Sequence, residues 1–246
     1  MTASLISVIL PVYDGARFIA GALDCIEAQR RHCEDHRFEV IAVDDASDDG
    51  NLSLGQLQAA RDAARIDHLV SFAKNRGPAA ARNAGLGLAC GDLITFLDVD
   101  DRWAPDHLAR MLRQLANSPD CGFVMSDVQC QLRAEPLSDG VEKFEDFGTP
   151  GFLPVFSAGL YRREVFARVG LLDEGMRHGE DLDWFLRARE AGVRYVTTSE
   201  TMLRYRVHES NMSRNRQAAY RGMARALHQS MRRRAAIGAK AGDGRE

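Results

Sequence analysis

The feature that most constrains this chain is a repeated alternation of short apolar runs with polar or acidic turns. Four such runs precede residue 100, at 5–12, 38–43, 68–72 and 93–97, and helical patterns separate them. Short apolar runs bounded by turn-forming residues are typical of buried strands. Strands that alternate with helices favour an α/β fold, with a mostly parallel central sheet and helices on both faces.

The later part of the chain continues this alternation. Its patterns predict helices over 52–60, from Pro78 to Ala89, over 105–115 and over 180–191, and strands over 122–131, 194–198 and 202–207. Pro78 suits a first helical position, because its missing N–H would have no partner there. Residues 133–151 are polar and show little periodicity, which predicts a flexible loop near the substrate. We therefore expect an α/β domain, 1–215, and a basic helical C-terminal extension, 216–246.

Composition narrows the class of protein. A chain of 246 residues with 45% hydrophobic residues can bury one core, and a formal net charge of −3 gives no general attraction to nucleic acid. No apolar stretch reaches the roughly eighteen residues that a membrane-spanning helix needs. The five cysteines are scattered without metal-type spacing, which favours reduced thiols in a cytoplasmic protein over a disulfide framework.

Acidic residues follow the second and fourth apolar runs. Asp98-Val99-Asp100 has the DxD pattern, and carboxylates together with phosphate oxygens are ligands that Mg²⁺ takes in proteins. Asp44 and Asp45 provide a carboxylate that could accept a hydrogen bond from a uracil imide or a ribose hydroxyl. For Asp98 and Asp100, the alternative is a solvated turn or a helix cap. For Asp44 and Asp45, it is hydrogen bonding within their own turn. Because both sets follow strands and would share one sheet edge, we favour ligand binding.

Two further positions are candidates for chemistry. Glu180 and Asp181 open a predicted helix, where acids commonly interact with the helix dipole. The alternative is that one of them is a general base, which must be ionised near neutral pH, and we expect the helix N-terminus to keep Asp181 ionised. His208 is a lone histidine, either structural or one ligand of a metal site built mainly from carboxylate and phosphate oxygens.

Several segments together carry a resemblance to a known family. They are the residues at 7–14, 43–50, 75–85, 91–101, 179–181 and 205–208, including Pro11, the pair Asp44-Asp45, Arg82-Asn83 and the DxD pattern. In this order and spacing they resemble the family 2 glycosyltransferases, which have the GT-A fold. The resemblance covers about residues 4–215, so that 1–215 would be the catalytic domain.

The resemblance implies an inverting transferase that moves a single sugar from a nucleoside-diphosphate sugar, with a UDP-sugar as the expected donor and Mn²⁺ or Mg²⁺ as the cofactor. The residues it assigns to nucleotide-sugar binding are Pro11, Tyr13, Asp44, Asp45, Arg82, Asn83 and Asp98. Those it assigns to the metal are Asp98, Asp100 and His208. Asp181 would be the catalytic base, with Glu180 beside it.

Other functions stay open at this point. A sugar nucleotidyltransferase would usually show a glycine-rich basic loop after the first strand, whereas this chain has residues 13–17, YDGAR, which are poor in glycine. An inactive nucleotide-sugar-binding scaffold would not need Asp98, Asp100, Asp181 and His208 together. A redox dehydrogenase is disfavoured, since no GxGxxG follows the first apolar run.

No motif names the acceptor, which could be a glycan, a lipid, a peptide or a small molecule. We expect residues 133–151 and 156–160 to approach it. The helix predicted over 217–240 places Tyr220, Met223, Leu227 and Met231 on one side, among basic residues that include 232–234. This pattern predicts a weak contact with a partner or with the inner face of the membrane. A docked helix with a solvated basic face is the alternative.

Overall fold

The computed structural model describes residues 4–134 and 143–242, with the backbone alone for Ser213 and residues 237–242. Its strands are β1 (Leu5–Val12), β2 (Arg37–Asp44), β3 (His68–Ser71), β4 (Leu93–Phe96), β5 (Arg102–Trp103), β6 (Phe123–Arg133), β7 (Phe144–Gly151), β8 (Gly159–Arg162) and β9 (Tyr195–Val207). Its helices are α1 (Ala16–His32), α2 (Leu52–Asp62), α3 (Pro78–Leu88), α4 (His107–Ala116), α5 (Arg163–Val169), α6 (Glu180–Glu190) and α7 (Arg216–Gly242). Two 3₁₀ turns lie at Phe156–Ala158 and Met212–Arg214.

One sheet joins the strands in the order β3-β2-β1-β4-β8-β6-β9-β5, and β7 pairs with β6. The first four strands are parallel, whereas β8 runs antiparallel to both β4 and β6. The chain moves outward from β1 to β3 and then returns to β4 on the other side of β1. With right-handed crossovers, this reversal puts α1 and α2 on one face and α3 on the other. The predicted α/β fold with helices on both faces is confirmed.

Strand register brings the ends of the parallel strands level with one another. Val12 pairs with Asp44 across β1 and β2, and Ile9 pairs with Phe96 across β1 and β4. The residues that follow these strands therefore meet at one edge, where the strand order reverses between β1 and β4. Ligands of open α/β sheets bind at such a reversal point.

The structure corrects two predictions for the second half of the chain. Residues 144–151, expected in a loop, form β7, whose backbone pairs with β6 from Phe144↔Arg133 to Gly151↔Val128. Residues 135–142 of that predicted loop lie outside the described part of the chain. The two strands predicted over 194–198 and 202–207 are one strand, β9, which pairs with β6 through register shifts near Asp127. The polar residues 198–200, which broke the apolar pattern, lie where this register shifts.

An aromatic cluster fixes the 3₁₀ turn at Phe156–Ala158 against the sheet. The Phe156 ring is completely buried, and its centroid lies 4.9 Å from Phe96 and 5.2 Å from Trp184 of α6. Aromatic pairs at these separations add stabilisation beyond simple burial. The backbone of Phe156 and Ser157 is thus held rigidly between the ends of β4 and α6.

Helix α7 crosses the start of α6 at backbone contact. A Cβ atom added to Gly222 would lie 2.2 Å from the carbonyl oxygen of His178, and one added to Gly179 would lie 2.7 Å from the backbone of Gly222. Gly179 also has a positive φ of 77° at the residue before α6. Only glycine fits these requirements at both positions.

The side of α7 that faces α6 is held by packing and ion pairs. Ala226 is fully buried, Ser230 donates a hydrogen bond to Glu190, and the Arg233 guanidinium pairs with Asp183 at 3.0 Å. The helix predicted over 217–240 is therefore confirmed and docked on the domain. None of the helices in the described ranges is long and apolar enough to cross a membrane.

Candidate active site

A buried arginine joins three carboxylates at the carboxyl edge of the sheet. Arg82, on the inner face of α3, donates through Nη2 to both carboxylate oxygens of Asp98, at 2.8 and 3.0 Å. Its Nη1 lies 3.0 Å from Glu180 and 3.3 Å from Asp181 at the start of α6. The Arg82 side chain is only 5% exposed, so water screens these pairs weakly. We call Arg82, Asp98, Glu180 and Asp181 the carboxylate cluster.

Charge in this cluster is only partly balanced. Burial opposes the charge of Arg82, but the carboxylates of Asp98, Asp181 and Glu180 outweigh it and raise the pKa of the guanidinium. One arginine faces three acids, so the cluster carries net negative charge when all are ionised. At least one acid is therefore driven toward its protonated form.

Asp181 is the acid of this cluster whose pKa is raised. Burial raises the pKa of the Asp181 carboxyl to about 8, against the lowering effect of Arg82, and the charges of Glu180 and Asp98 add to the rise. The expectation that the helix N-terminus keeps Asp181 ionised was therefore wrong, because burial and the two neighbouring acids raise this pKa more than Arg82 and the Phe156 N–H lower it. Its Oδ2 accepts a hydrogen bond of 3.2 Å from the backbone N–H of Phe156. The carboxyl is thus fixed in place with a pKa near neutrality.

Asp98 is positioned by a residue that the sequence patterns did not identify. Its backbone N–H donates to the hydroxyl of Ser157 at 3.0 Å, and the carbonyl of Ser157 accepts from the indole N–H of Trp103 at 2.7 Å. The sequence placed 156–160 near the acceptor but gave Ser157 no role. Its contact with Asp98 spans 59 residues of chain, and no local pattern reveals such a contact.

Asp100 and His208 form a second pair. The Nε2 of His208 lies 3.0 Å from Oδ2 of Asp100, which also accepts from the Asn211 amide at 3.1 Å. The Nδ1 of His208 lies 3.1 Å from the guanidinium of Arg17, which can only donate. An imidazole that accepts at Nδ1 carries its proton on Nε2, so His208 donates to Asp100. Arg17 and Asn211 are further site residues that sequence reasoning missed.

The donor atoms of this pair fit a divalent cation in part. Carboxylate oxygen and imidazole nitrogen are both established metal ligands. Within 4–134 and 143–242, however, no three His, Cys, Asp or Glu side chains lie close enough to hold a metal by themselves. The predicted set of Asp98, Asp100 and His208 is therefore not a preassembled three-ligand site, and the Asp98 carboxylate is engaged by Arg82. Asp100 and His208 are left as two candidate ligands. Ligation through Nε2 would require the His208 proton to be on Nδ1, where the Ser210 hydroxyl, 3.0 Å away, could accept it in place of the Arg17 contact.

The residues predicted for the nucleotide lie beside this site and also stabilise loops. Pro11 lies in the last part of β1, and Tyr13 directly follows this strand and is 48% exposed. The carboxylate of Asp44 accepts from the hydroxyls of Ser47 and Ser71 at 2.6 and 3.2 Å. That of Asp45 accepts from two backbone N–H groups, of Arg76 at 2.6 Å and of Gly77 at 2.7 Å. Both aspartates thus also have the turn-stabilising contacts of the alternative interpretation.

Asn83 is not part of the carboxylate cluster. Its amide donates to the carbonyl of Leu172 at 3.0 Å and accepts from the N–H of the same residue at 3.0 Å. It also contacts Glu174, which pairs with Arg76. The contacts of Asn83 therefore anchor the segment before α6 to α3.

Comparison with sequences of known proteins agrees with this architecture. Residues 7–170 match the family described as Glycosyl transferase family 2. The amylovoran biosynthesis glycosyltransferase AmsB of Erwinia amylovora is 31% identical over 214 residues, which cover 81% of this chain and 68% of that protein. The succinoglycan biosynthesis protein ExoU of Rhizobium meliloti is 30% identical over 201 residues, covering 73% of this chain and 54% of that protein.

Solved structures share the fold at lower identity. A mannosyltransferase, PcManGT from Pyrobaculum calidifontis in complex with GDP-Man and Mn²⁺, gives a TM-score of 0.71 at 22% identity over 94% of this chain and 65% of that one. S. aureus TarS 1–349 in complex with UDP gives 0.64 at 18% identity over 90% and 65%. The chain thus spans about two thirds of the length of these proteins.

Proposed function

Since the chain belongs to glycosyl transferase family 2, we propose that it transfers one sugar from a nucleoside-diphosphate sugar to an acceptor hydroxyl with inversion at the anomeric carbon. The carboxylate cluster carries this proposal. It holds Asp181, a carboxyl with a pKa near neutrality, beside Asp98 at the edge where the strand order reverses. A base in that place can serve an acceptor while the donor lies over the ends of β1 and β4.

In the proposed reaction, the acceptor hydroxyl attacks the anomeric carbon on the face opposite the diphosphate. Asp181 takes the hydroxyl proton as the new C–O bond forms, and the bond to the diphosphate breaks with its electron pair. One displacement of this kind inverts the configuration. Arg82 and the Phe156 N–H hold the Asp181 carboxylate in place, and such positioning accounts for a large part of enzymatic rate enhancement.

A UDP-sugar is the expected donor, and Pro11, Tyr13, Asp44 and Asp45 are the proposed nucleotide contacts. Asp100 and His208 are the proposed ligands of Mn²⁺ or Mg²⁺, with phosphate oxygens completing the coordination. A divalent cation there would neutralise charge on the leaving diphosphate. Support comes from the Mn²⁺ and GDP-Man of the mannosyltransferase and from the UDP of TarS, which differ in nucleotide.

The donor is identified by a stability screen followed by a transfer assay. UDP-, GDP-, dTDP- and CDP-sugars are each added with Mn²⁺, and the melting temperature is recorded. A donor at a hundred times its dissociation constant should stabilise the fold by about 2.7 kcal/mol. Glycan, lipid and small-molecule acceptors are then tested with that donor. Release of pyrophosphate from a nucleoside triphosphate would instead identify a nucleotidyltransferase, and binding without transfer or hydrolysis would indicate an inactive scaffold.

Replacing Asp100 with alanine should abolish the extra stabilisation that Mn²⁺ gives to the UDP complex. The substitution removes one of two proposed ligands. It also leaves the buried His208 ring without its acceptor, which should lower the melting temperature equally in Mn²⁺ and in EDTA, so the difference between the two conditions is the quantity compared. Thermal unfolding with UDP is measured in Mn²⁺ and in EDTA. Asp120→Ala removes an exposed carboxylate before β6 and should keep the full Mn²⁺ effect. An Asp100→Ala protein that keeps it too would rule out Asp100 as a ligand.

The rate of transfer should rise with pH in the neutral range. Because burial raises the pKa of Asp181 to about 8, the ionised base becomes more abundant as pH increases toward that value. We expect kcat/KM to increase about tenfold per pH unit from pH 6 to 7 and to level off above pH 8. Glu180→Gln should move this rise to lower pH, since the charge of Glu180 contributes to the raised pKa. A flat wild-type profile from pH 6 to 9 would contradict the assignment.

A further inference from the structure

Helix α7 exposes a continuous apolar stripe to solvent. Tyr220, Met223, Leu227 and Met231 are respectively 67%, 46%, 50% and 68% exposed. Their spacing of three, four and four residues places them on one side of the helix. Isolated exposed apolar residues are common on proteins, but a stripe of four along one helix marks an interaction surface.

The stripe is separate from the surface by which α7 docks on the domain. Ala226, Ser230 and Arg233 face α6, as their burial and their contacts with Glu190 and Asp183 show. At 100° per residue, the centre of the stripe lies about 100° round the helix from the centre of these positions, and Met223 and Ser230 are neighbours at the boundary between the two surfaces. The docked-helix interpretation therefore explains one side of α7 and leaves the stripe uncovered.

The charge on α7 is entirely positive. Residues 216–242 contain six arginines and one lysine and no acidic residue. Within the described ranges, Arg225 and Arg233 form ion pairs, whereas Arg216, Arg221, Arg232 and Arg234 form none. By helical geometry, Arg216 and Arg234 project on the same side as the stripe, one at each end. Arg221 and Arg232 lie further round the exposed surface.

We propose that this side of α7 binds an anionic membrane surface. The apolar stripe would enter the boundary between headgroups and acyl chains, with the helix parallel to the membrane plane, while the arginines contact lipid phosphates. The positive charge of α7 favours an anionic membrane as the partner of this surface. A second copy of the chain docked through the same surface would bring two acid-free arginine-rich helices together, and like charges repel.

Flotation of the whole protein with vesicles tests the proposal. Vesicles of phosphatidylcholine alone are compared with vesicles containing about 30% phosphatidylglycerol. We expect binding to the anionic vesicles alone, weakened at least about tenfold when NaCl rises from about 0.1 to about 0.5 M. The assay needs neither donor nor acceptor, so its outcome is independent of the proposed transfer reaction.

Paired variants separate the two components of binding. Arg216→Gln with Arg234→Gln, the two arginines on the side of the stripe, should weaken binding about 25-fold, since each basic residue near an anionic surface contributes about fivefold. Leu227→Gln with Met231→Gln should weaken it about tenfold or more by removing inserted apolar surface. The control pair Arg31→Gln with Arg61→Gln makes the same change in net charge on α1 and α2 and should leave binding unchanged.

Three results would overturn the proposal. One is the absence of binding to anionic vesicles, and another is equal loss of binding in the control pair. The third is a wild-type dimer that becomes monomeric, by light scattering, in the Leu227→Gln and Met231→Gln variant, which would assign the stripe to self-association.

Discussion

Replacing Asp181 with asparagine should lower sugar transfer by about 10²–10⁴-fold, the usual cost of losing a general base. Asparagine has nearly the same volume and retains an oxygen that can accept the Phe156 N–H, so the carboxylate cluster should keep its packing. The melting temperature and the affinity for the donor should therefore change little. Turnover, donor binding and product configuration are measured on wild type and variant.

Two comparisons make this result specific to Asp181. Glu180→Gln removes the neighbouring acid, which also contacts Arg82, and should reduce turnover much less. The transferred sugar should have the inverted configuration, because a single base opposite the diphosphate permits one displacement. Near-normal turnover in Asp181→Asn would transfer the role of base to Glu180. A retained configuration would exclude single displacement altogether.

Replacing Arg82 with methionine should destabilise the fold by about 3–5 kcal/mol. Methionine keeps the apolar length of the side chain but leaves the partly buried carboxylates of Asp98, Glu180 and Asp181 without their common counter-ion. The free energy of unfolding is measured by urea denaturation. Arg65→Met, which removes the exposed pair with Asp24, should change it by at most about 1 kcal/mol.

The pH dependence distinguishes lost charge balance from lost packing. Without Arg82 the folded-state pKa of Asp181 rises further, because the lowering effect of the guanidinium is lost, so the variant is least destabilised at low pH and loses stability as pH increases. Adding Asp181→Asn should recover part of the loss, by about 0.5–3 kcal/mol, since one uncompensated acid is removed. A loss that is independent of pH and unaffected by the second substitution would show that Arg82 acts through packing alone.

The elements predicted well from sequence are those whose local pattern agrees with their environment. β1, β2 and β4 are apolar because both faces of the parallel sheet are covered, and Pro78 begins α3 as expected. β7 was missed because it is nearly all exposed, contains glycine and proline and is stabilised by pairing with β6. A strand of this kind depends on its partner, which the local sequence does not reveal.

The sequence predicted which kinds of residue lie at the strand ends of the site, but not their contacts. The patterns selected Asp98, Asp100, Asp181 and His208, but not which of them would meet. Arg82 lies in an alanine-rich helix, and its partners in α6 are 98 and 99 residues away. The pKa of Asp181 depends on burial and on the nearby Glu180 and Asp98, which reversed an expectation based on its helical position alone.

The crossing of α6 and α7 limits how these helices can change in sequence. Most tight contacts between helices can be relieved by shortening a neighbouring side chain, so a harmful substitution can have a compensating partner. At Gly179 and Gly222 the neighbour is backbone, and no residue is smaller than glycine. A side chain gained at either position therefore has no local suppressor. We therefore expect the first turn of α6, with Glu180 and Asp181, to change in sequence only together with α7.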